Sequence, residues 1–342
     1  MSSALSHLVS TRIRETLRHP EAVFWTFLFP VLMSVALGVA FRNERPEPAA
    51  AVVVEAPGAD RIEAGLRADG TVQVERLARE EADARLRAGK AAIVVVPGDP
   101  VTYRFDPTRP ESRLARARVD AALQRAAGRK DPLPVRDEPV TEPGSRYIDF
   151  LVPGLLGMNL MGGGLWGIGW TIVEMRIRKV LKLQLTTPMR RRDFLLSHVL
   201  VRIAFAPLEV VPLIVLSQIL FDVRVAGSWA SLGAVSLLGA VSFAGLGTLV
   251  ASRARTTGTI SGLINLCTLP MFVLSGVFFS SDRFPDVIQP FVQALPLTQV
   301  NDALRAVVLE GRDLASQGVR VGILLAWGLV SSVLALRFFR WN

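Results

Sequence analysis

Apolar runs long enough to cross hydrocarbon occur once near the N-terminus and five times in the second half of the chain. A polar block, residues 41–146, separates the first run from the others. Residues 22–40, 228–252 and 256–281 carry no charge at all. About 18 or more such residues span roughly 30 Å as a helix, satisfying their own backbone hydrogen bonds and presenting apolar side chains to lipid. The pattern predicts six spans, over 22–40, 148–173, 195–221, 228–252, 256–281 and 319–338.

Within the polar block the periodicity changes. Residues 50–54 and 92–96 are compact apolar, largely β-branched runs, 101–105 alternates like a half-exposed strand, and 60–68, 78–88 and 111–127 read as helices. Strands alternating with helices predict a small α/β domain. Prolines and acidic residues between 131 and 144 read as a linker back to the membrane.

Charge orients the spans. Arg12, Arg14 and Arg18 precede the first span, seven basic residues lie between Arg176 and Arg192, Arg253 and Arg255 follow the fourth, and Arg337 and Arg340 close the chain. All four groups fall on one side, so the positive-inside rule puts both termini in the cytoplasm and the 41–146 domain outside a plasma or inner membrane. Half of the residues are apolar and the mean hydropathy is +0.37. The net charge of +9 therefore reads as span-flanking arginines facing lipid headgroups rather than as a nucleic-acid surface. Cys267 is the one cysteine, which excludes an internal disulfide framework. Residues 1–20, with Leu5, Leu8 and Ile13 among the arginines, read as an interfacial helix without a cleavage site.

The stretch 174–188 holds the most specific pattern. Ile177, Val180, Leu181 and Leu185 fall on one helical face, Arg178, Lys179 and Lys182 on the other, and Pro188 stops the helix. Such a helix can offer its apolar ridge to a partner or to lipid.

The runs LTTPMRRRDFLLSHVL (185–200), YIDFLVPGLLGMNLM (147–161) and LPMFVLSGVFFSSDRFPDVIQPFVQALPLTQVNDALRAVVLEG (269–311) resemble the permease subunits of ABC-2 type ATP-binding cassette exporters. The likeness covers most of the chain. It implies a cytoplasmic coupling helix over about 174–188 that docks on a separate ATPase, with contact roles for Ile177, Val180, Leu181, Thr187 and Pro188. Many members carry Glu-Gly-Thr where this chain reads Arg178, Lys179 and Val180. The resemblance further implies a re-entrant hairpin over about 282–300. Pro285, Pro290 and Pro296, which interrupt a stretch too broken to cross, support it independently. Asp302 and Arg305 after it read as a surface i, i+3 pair.

Polar residues inside spans are costly and mark interior positions. Glu209, with Arg202 seven residues before it, is expected to line a translocation path or to stabilise a dimer interface. Asn159 and Asn265 are further candidates, and Asn265 and Thr268 could bond across helices. The glycines at 162, 163, 164, 167 and 169 read as a packing seam at the centre of a dimer. No phosphate-cradling loop, zinc motif or nucleophile elbow occurs, so no catalytic residue, metal ligand or cofactor site is assigned. ATP and magnesium would belong to the partner.

The expectation is a membrane all-α bundle of six transmembrane helices with an inserted extracytoplasmic α/β domain and a re-entrant hairpin after the fifth span. Residues 1–40 hold the interfacial helix and first span, 41–146 the external domain, and 147–342 the other five spans. It would be the permease of an exporter of hydrophobic or amphipathic compounds, paired with a cytoplasmic ATPase and with a second copy or sister chain. A membrane sensor or scaffold and a membrane-embedded enzyme are the rival classes.

Overall fold

The structure, a computed structural model, describes residues 3–18, 20–40, 49–129, 133, 146–186 and 190–340. The chain divides into two compact units, Met1–Asn43 with Val140–Asn342, and Glu44–Pro139. The 131–144 linker predicted from its prolines lies outside the described residues, apart from Leu133.

Helices α1 (Ser3–Arg18) and α2 (Phe24–Ala40) precede the smaller unit. Its four-stranded sheet has the order β2-β1-β3-β4, with β1 Ala49–Val54, β2 Val72–Leu77, β3 Ile93–Val96 and β4 Thr102–Arg104. β1 runs parallel to β2 and β3, and β4 pairs antiparallel with β3. The central strands are continuous apolar runs because both their faces are covered. Ala51, Val53, Ile93 and Val95 pack under α3 (Ala59–Asp69) and α5 (Pro110–Ala126), while Val52, Val54 and Val94 pack on α4 (Arg79–Arg87). β2 was missed from sequence because it is an edge strand: Val72 alone of its six residues is buried, and Glu75 and Arg76 break the alternation.

The larger unit is a helical bundle. Its elements are α6 (Tyr147–Ile177), α7 (Val180–Leu185), α8 (Arg191–Phe221), α9 (Trp229–Ala251), α10 (Thr257–Leu274), α11 (Gln289–Ala294), α12 (Pro296–Val308) and α13 (Gly318–Phe338). Five segments are long and apolar enough to cross a membrane: α6, α8, α9, α10 and Leu314–Phe338, which contains α13. The apolar helix α2 is shorter.

α10 ends seven residues before the predicted 281. Gly276 takes φ +71°, the left-handed conformation that terminates helices, and its neighbour Ser275 gives its carbonyl to Asn301 Nδ2 at 2.8 Å. The chain then turns through α11 into α12, and Trp327 of α13 caps the turn by donating Nε1–H to Ala294 O at 2.8 Å. Helix α12 is buried on nearly every side, including Thr298, Gln299, Asn301 and Arg305. Asp302 and Arg305 are therefore not the surface pair that their i, i+3 spacing suggested: their side chains are 21% and 10% exposed.

Part of the glycine seam of α6 closes inside the chain. A Cβ on Gly164 would overlap Phe243 of α9, backbone included, one on Gly247 would overlap Gly164 O, and one on Gly157 would overlap Asn301 of α12. Close helix approach of this kind draws on van der Waals contact where no water can be displaced. Gly162 and Gly167 face open space instead.

Gly164→Leu should therefore destabilise the bundle by about 1–3 kcal/mol, the usual cost of overpacking, whereas Gly167→Leu should leave its thermal unfolding in detergent unchanged. Equal shifts for the two variants would disprove the seam.

Candidate functional site

At one end of the bundle the ends of α6, α9 and α13 converge on Arg176. Its Nη1 donates to Ala251 O (2.9 Å) and Ala254 O, and its Nη2 to Ser252 O (3.1 Å) and Arg340 O (2.9 Å). The guanidinium also lies 5.4 Å from the Phe339 ring centre. These carbonyls lie at and just beyond the ends of α9 and α13, and a planar five-donor fork is suited to collecting several of them. α1 docks beside this cluster. Its buried Arg12 donates Nε–H to Ser197 Oγ at 3.1 Å and lies 4.9 Å from the Phe194 ring centre, which ties α1 to the start of α8.

The predicted coupling helix, 174–188, is not one helix. α6 stops at Ile177, Lys179 sits at φ +60°, and α7 begins at Val180. That conformation is costly for a residue with a Cβ and easy for glycine. Lys179 thus holds the backbone shape that glycine would take at the middle position of Glu-Gly-Thr. The turn also breaks the apolar ridge. Leu181 is 1% exposed and joins the bundle core, so it offers nothing to a partner, and Val180 is half-buried. Ile177 and Leu183 are the exposed apolar side chains, at 47% and 69%. Thr187, Pro188 and the side chain of Leu185 lie outside the described residues.

Deeper in the bundle, His198, Arg202 and Glu209 share one buried face of α8. Arg202 pairs with Glu209 through both terminal guanidinium nitrogens, Nη2 to Oε2 at 2.6 Å and Nη1 to Oε1. Its Nη2 also reaches Leu160 O of α6 at 3.2 Å. That carbonyl lies just before residues Gly163–Trp170, where α6 widens to a π-helix. A change from i+4 to i+5 bonding leaves carbonyls near the switch short of a helical donor. A Cβ on Gly163 would overlap the Arg202 guanidinium, so glycine there makes room for the ion pair. Asn159 makes a parallel contact, Nδ2 to Thr26 O at 3.4 Å, within the π-helical stretch Phe24–Leu28 of α2.

The structure thus brings Asn159, Arg202 and Glu209 to one level of the bundle. Asn265 is exposed on α10, and Thr268 bonds its own helix, Oγ1 to Asn265 O at 3.5 Å, rather than a neighbour. Arg305 was missed as an interior residue. It donates to Gly276 O and Phe150 O and stacks 3.6 Å from the Phe150 ring centre. The signal was present, since Leu297, Val300, Ala303, Leu304, Val307 and Val308 surround it with apolar positions on several faces of α12. Among the described residues no group of three or more His, Cys, Asp or Glu could hold a metal ion.

The sequence profile described as "ABC-2 family transporter protein" matches residues 21–337. The chain belongs to the ABC-2 family of transporters. Among curated relatives it is similar to Nodulation protein J of Bradyrhizobium diazoefficiens, 24% identical over 198 residues, which cover 58% of this chain and 75% of that protein. An ABC-2 permease is a multi-pass membrane subunit that works with an ATP-binding partner and is generally not itself catalytic. In this permease the buried polar contacts tie the helices of the bundle to one another.

Two measurements check the site. Arg202→Ala or Glu209→Ala should each cost about 3–5 kcal/mol by stranding a buried charge, while the double variant Arg202→Met/Glu209→Leu should cost clearly less; additive losses in detergent unfolding would show that the two groups do not act as a pair. Lys179→Gly should raise stability by about 1 kcal/mol through relief of its left-handed backbone, and a drop would show that the side chain, not the turn, matters there.

Proposed function

We propose that this ABC-2 permease is the membrane half of an exporter, driven by a separate cytoplasmic ATPase and moving a hydrophobic or amphipathic compound outward from the cytoplasm or inner leaflet. The observation that carries the reading is the convergence of α1 and the ends of α6, α9 and α13 on Arg12 and Arg176, next to the broken α6–α7 turn. Most of the span-flanking arginines belong to this end, which makes it the cytoplasmic one by the positive-inside rule. The termini are then cytoplasmic in a plasma or inner membrane, α2 is a sixth, short crossing, and the α/β unit is extracytoplasmic.

In this reading α11 and α12 form the re-entrant hairpin. α12 has 13 residues, about 20 Å at 1.5 Å each, too short to cross. Both flanks of the hairpin bond the end opposite Arg176: Tyr147 donates to Phe278 O at 2.8 Å, and Ala226 N–H donates to Val308 O at 2.9 Å. Its turn is met by Trp327 near the middle of α13. Two permeases, identical or sister chains, and two ATPases complete the transporter. Substrate passes where Asn159, Arg202 and Glu209 rearrange, because a transport path must alternate between two packings that bind it differently. Asn265 contributes from the surface of α10 against a second copy or lipid.

Leu183 and Ile177 replace the buried Leu181 as the apolar contacts to the ATPase. Leu183→Glu with Ile177→Asp should cut co-purification of the cognate ATPase by about thirtyfold, as expected from losing a hot-spot anchor of ~2 kcal/mol, with unfolding of the permease unchanged. Full ATPase retention and wild-type efflux from cells would sink the coupling assignment.

A further inference from the structure

The α/β unit carries an open cleft of about 470 Å³ where α4 ends and the chain leaves β4. Its volume lies in the range of small-molecule pockets and is far more than an inorganic anion fills. Two arginines line it. The Arg87 side chain forms no hydrogen bond or ion pair among the described residues, and the Arg109 side chain has only a long ion-pair contact, 3.9 Å from Nε to Glu111 Oε2. Arg104 and Arg76 of the same unit, by contrast, are held by Asp83 and Asp60 at 2.6 Å each.

The backbone is shaped around this arrangement. Gly89 adopts φ +72°, and a Cβ on it would lie 3.0 Å from Arg109 Nη1, so the absence of a side chain lets the guanidinium lie across the turn. Asp106 is the carboxylate lining the cleft, and its Oδ1 is already taken by Thr108 N–H at 2.9 Å and Thr108 Oγ1 at 2.7 Å. Those hydrogen bonds, with Arg109 adding to them, hold its carboxyl below the usual range, so it stays ionised and offsets one of the two positive charges. Leu86 and Phe105 supply apolar walls. Each is partly buried, Leu86 against the core on one face of the sheet and Phe105 against the core on the other.

We propose that this cleft binds a small amphipathic organic anion, a phosphate or carboxylate with an apolar body, the anion between Arg87 and Arg109 and the body against Leu86 and Phe105. Guanidinium forks match both anions bidentately, and a concave apolar wall selects against a bare ion. The site is independent of the direction of transport and of the ATPase contact.

The test is calorimetric titration of the purified full-length permease in detergent with phenyl phosphate, inorganic phosphate and benzyl alcohol. Phenyl phosphate should bind at least about tenfold more tightly than inorganic phosphate, the gain expected from burying one ring, and benzyl alcohol should give no heat. Arg87→Ser/Arg109→Ser should weaken phenyl phosphate by about tenfold or more. Asp106→Asn should strengthen it, a change of opposite sign that loss of folding cannot imitate. A lipid headgroup and a free solute share this chemistry, and competition separates them. Displacement by dihexanoylphosphatidic acid below the concentration of phenyl phosphate needed assigns the cleft to a headgroup, and displacement only above it assigns a soluble anion. No binding of phenyl phosphate tighter than about 1 mM, or binding that survives the double arginine variant, overturns the proposal.

Discussion

A bundle that lies in hydrocarbon has no water to satisfy the backbone groups left over wherever a helix stops, widens or turns, so each must find its donor inside the protein. Buried and half-buried arginines meet that demand in this chain. Arg176 collects the carbonyls at the ends of α9 and α13, Arg202 reaches Leu160 O beside the π-helical stretch of α6, and Arg305 takes Gly276 O where α10 gives way to the hairpin. Each guanidinium offers several donors in a fixed plane and stays charged, which suits it to irregular backbone. Their burial would be prohibitive without those acceptors. Departures from regular helix and interior arginines are thus two sides of one constraint.

This constraint explains what the residues alone revealed. Span existence was legible because long uncharged runs have few alternatives: 228–252 became Trp229–Ala251 and 319–338 became Gly318–Phe338. The early end of α10 was not, since residues 256–281 are uncharged throughout and the helix stops where Asn301 and Arg305, some 26–29 positions later, claim the carbonyls at its end. Arg305 itself looked like a surface partner of Asp302 because spacing reports a residue's own helix, not the helices packed around it. Leu181 shows the same limit: periodicity put it on an exposed ridge, and one left-handed residue at position 179 turned it into the core. In the α/β unit the doubly covered strands were conspicuous, and the edge strand β2 was not, having one buried side chain to betray it.

The same geometry bears on how such a permease could move. Helices α6 and α9 touch through Gly164 and Gly247, where backbone meets backbone with no side chain between them. Softer points are of another kind. The π-helical stretch of α6 needs only a local change of hydrogen-bond register, and α8 contains Pro207 and Pro212 within the same turns as Glu209, so part of its ladder is already missing. The Arg202–Glu209 pair links these two regions through the hydrogen bond from Arg202 to Leu160 O.

If force from an ATPase enters at the α6–α7 turn, its route follows from these contacts. α7 is joined to α6 through Lys179 and anchored in the core by Leu181, so a push on Leu183 tilts the end of α6 rather than sliding a free helix. Arg12 and Arg176 clamp that end to α1, α8, α9 and α13, and the π-helical residues Gly163–Trp170 lie directly above the clamp. Any change there alters the carbonyl held by Arg202 and with it the Arg202–Glu209 contact. A buried ion pair is an expensive way to gain stability alone, and in the proposed exporter its place above the clamped end would give it a second use, as the interaction that distinguishes two packings of the same helices.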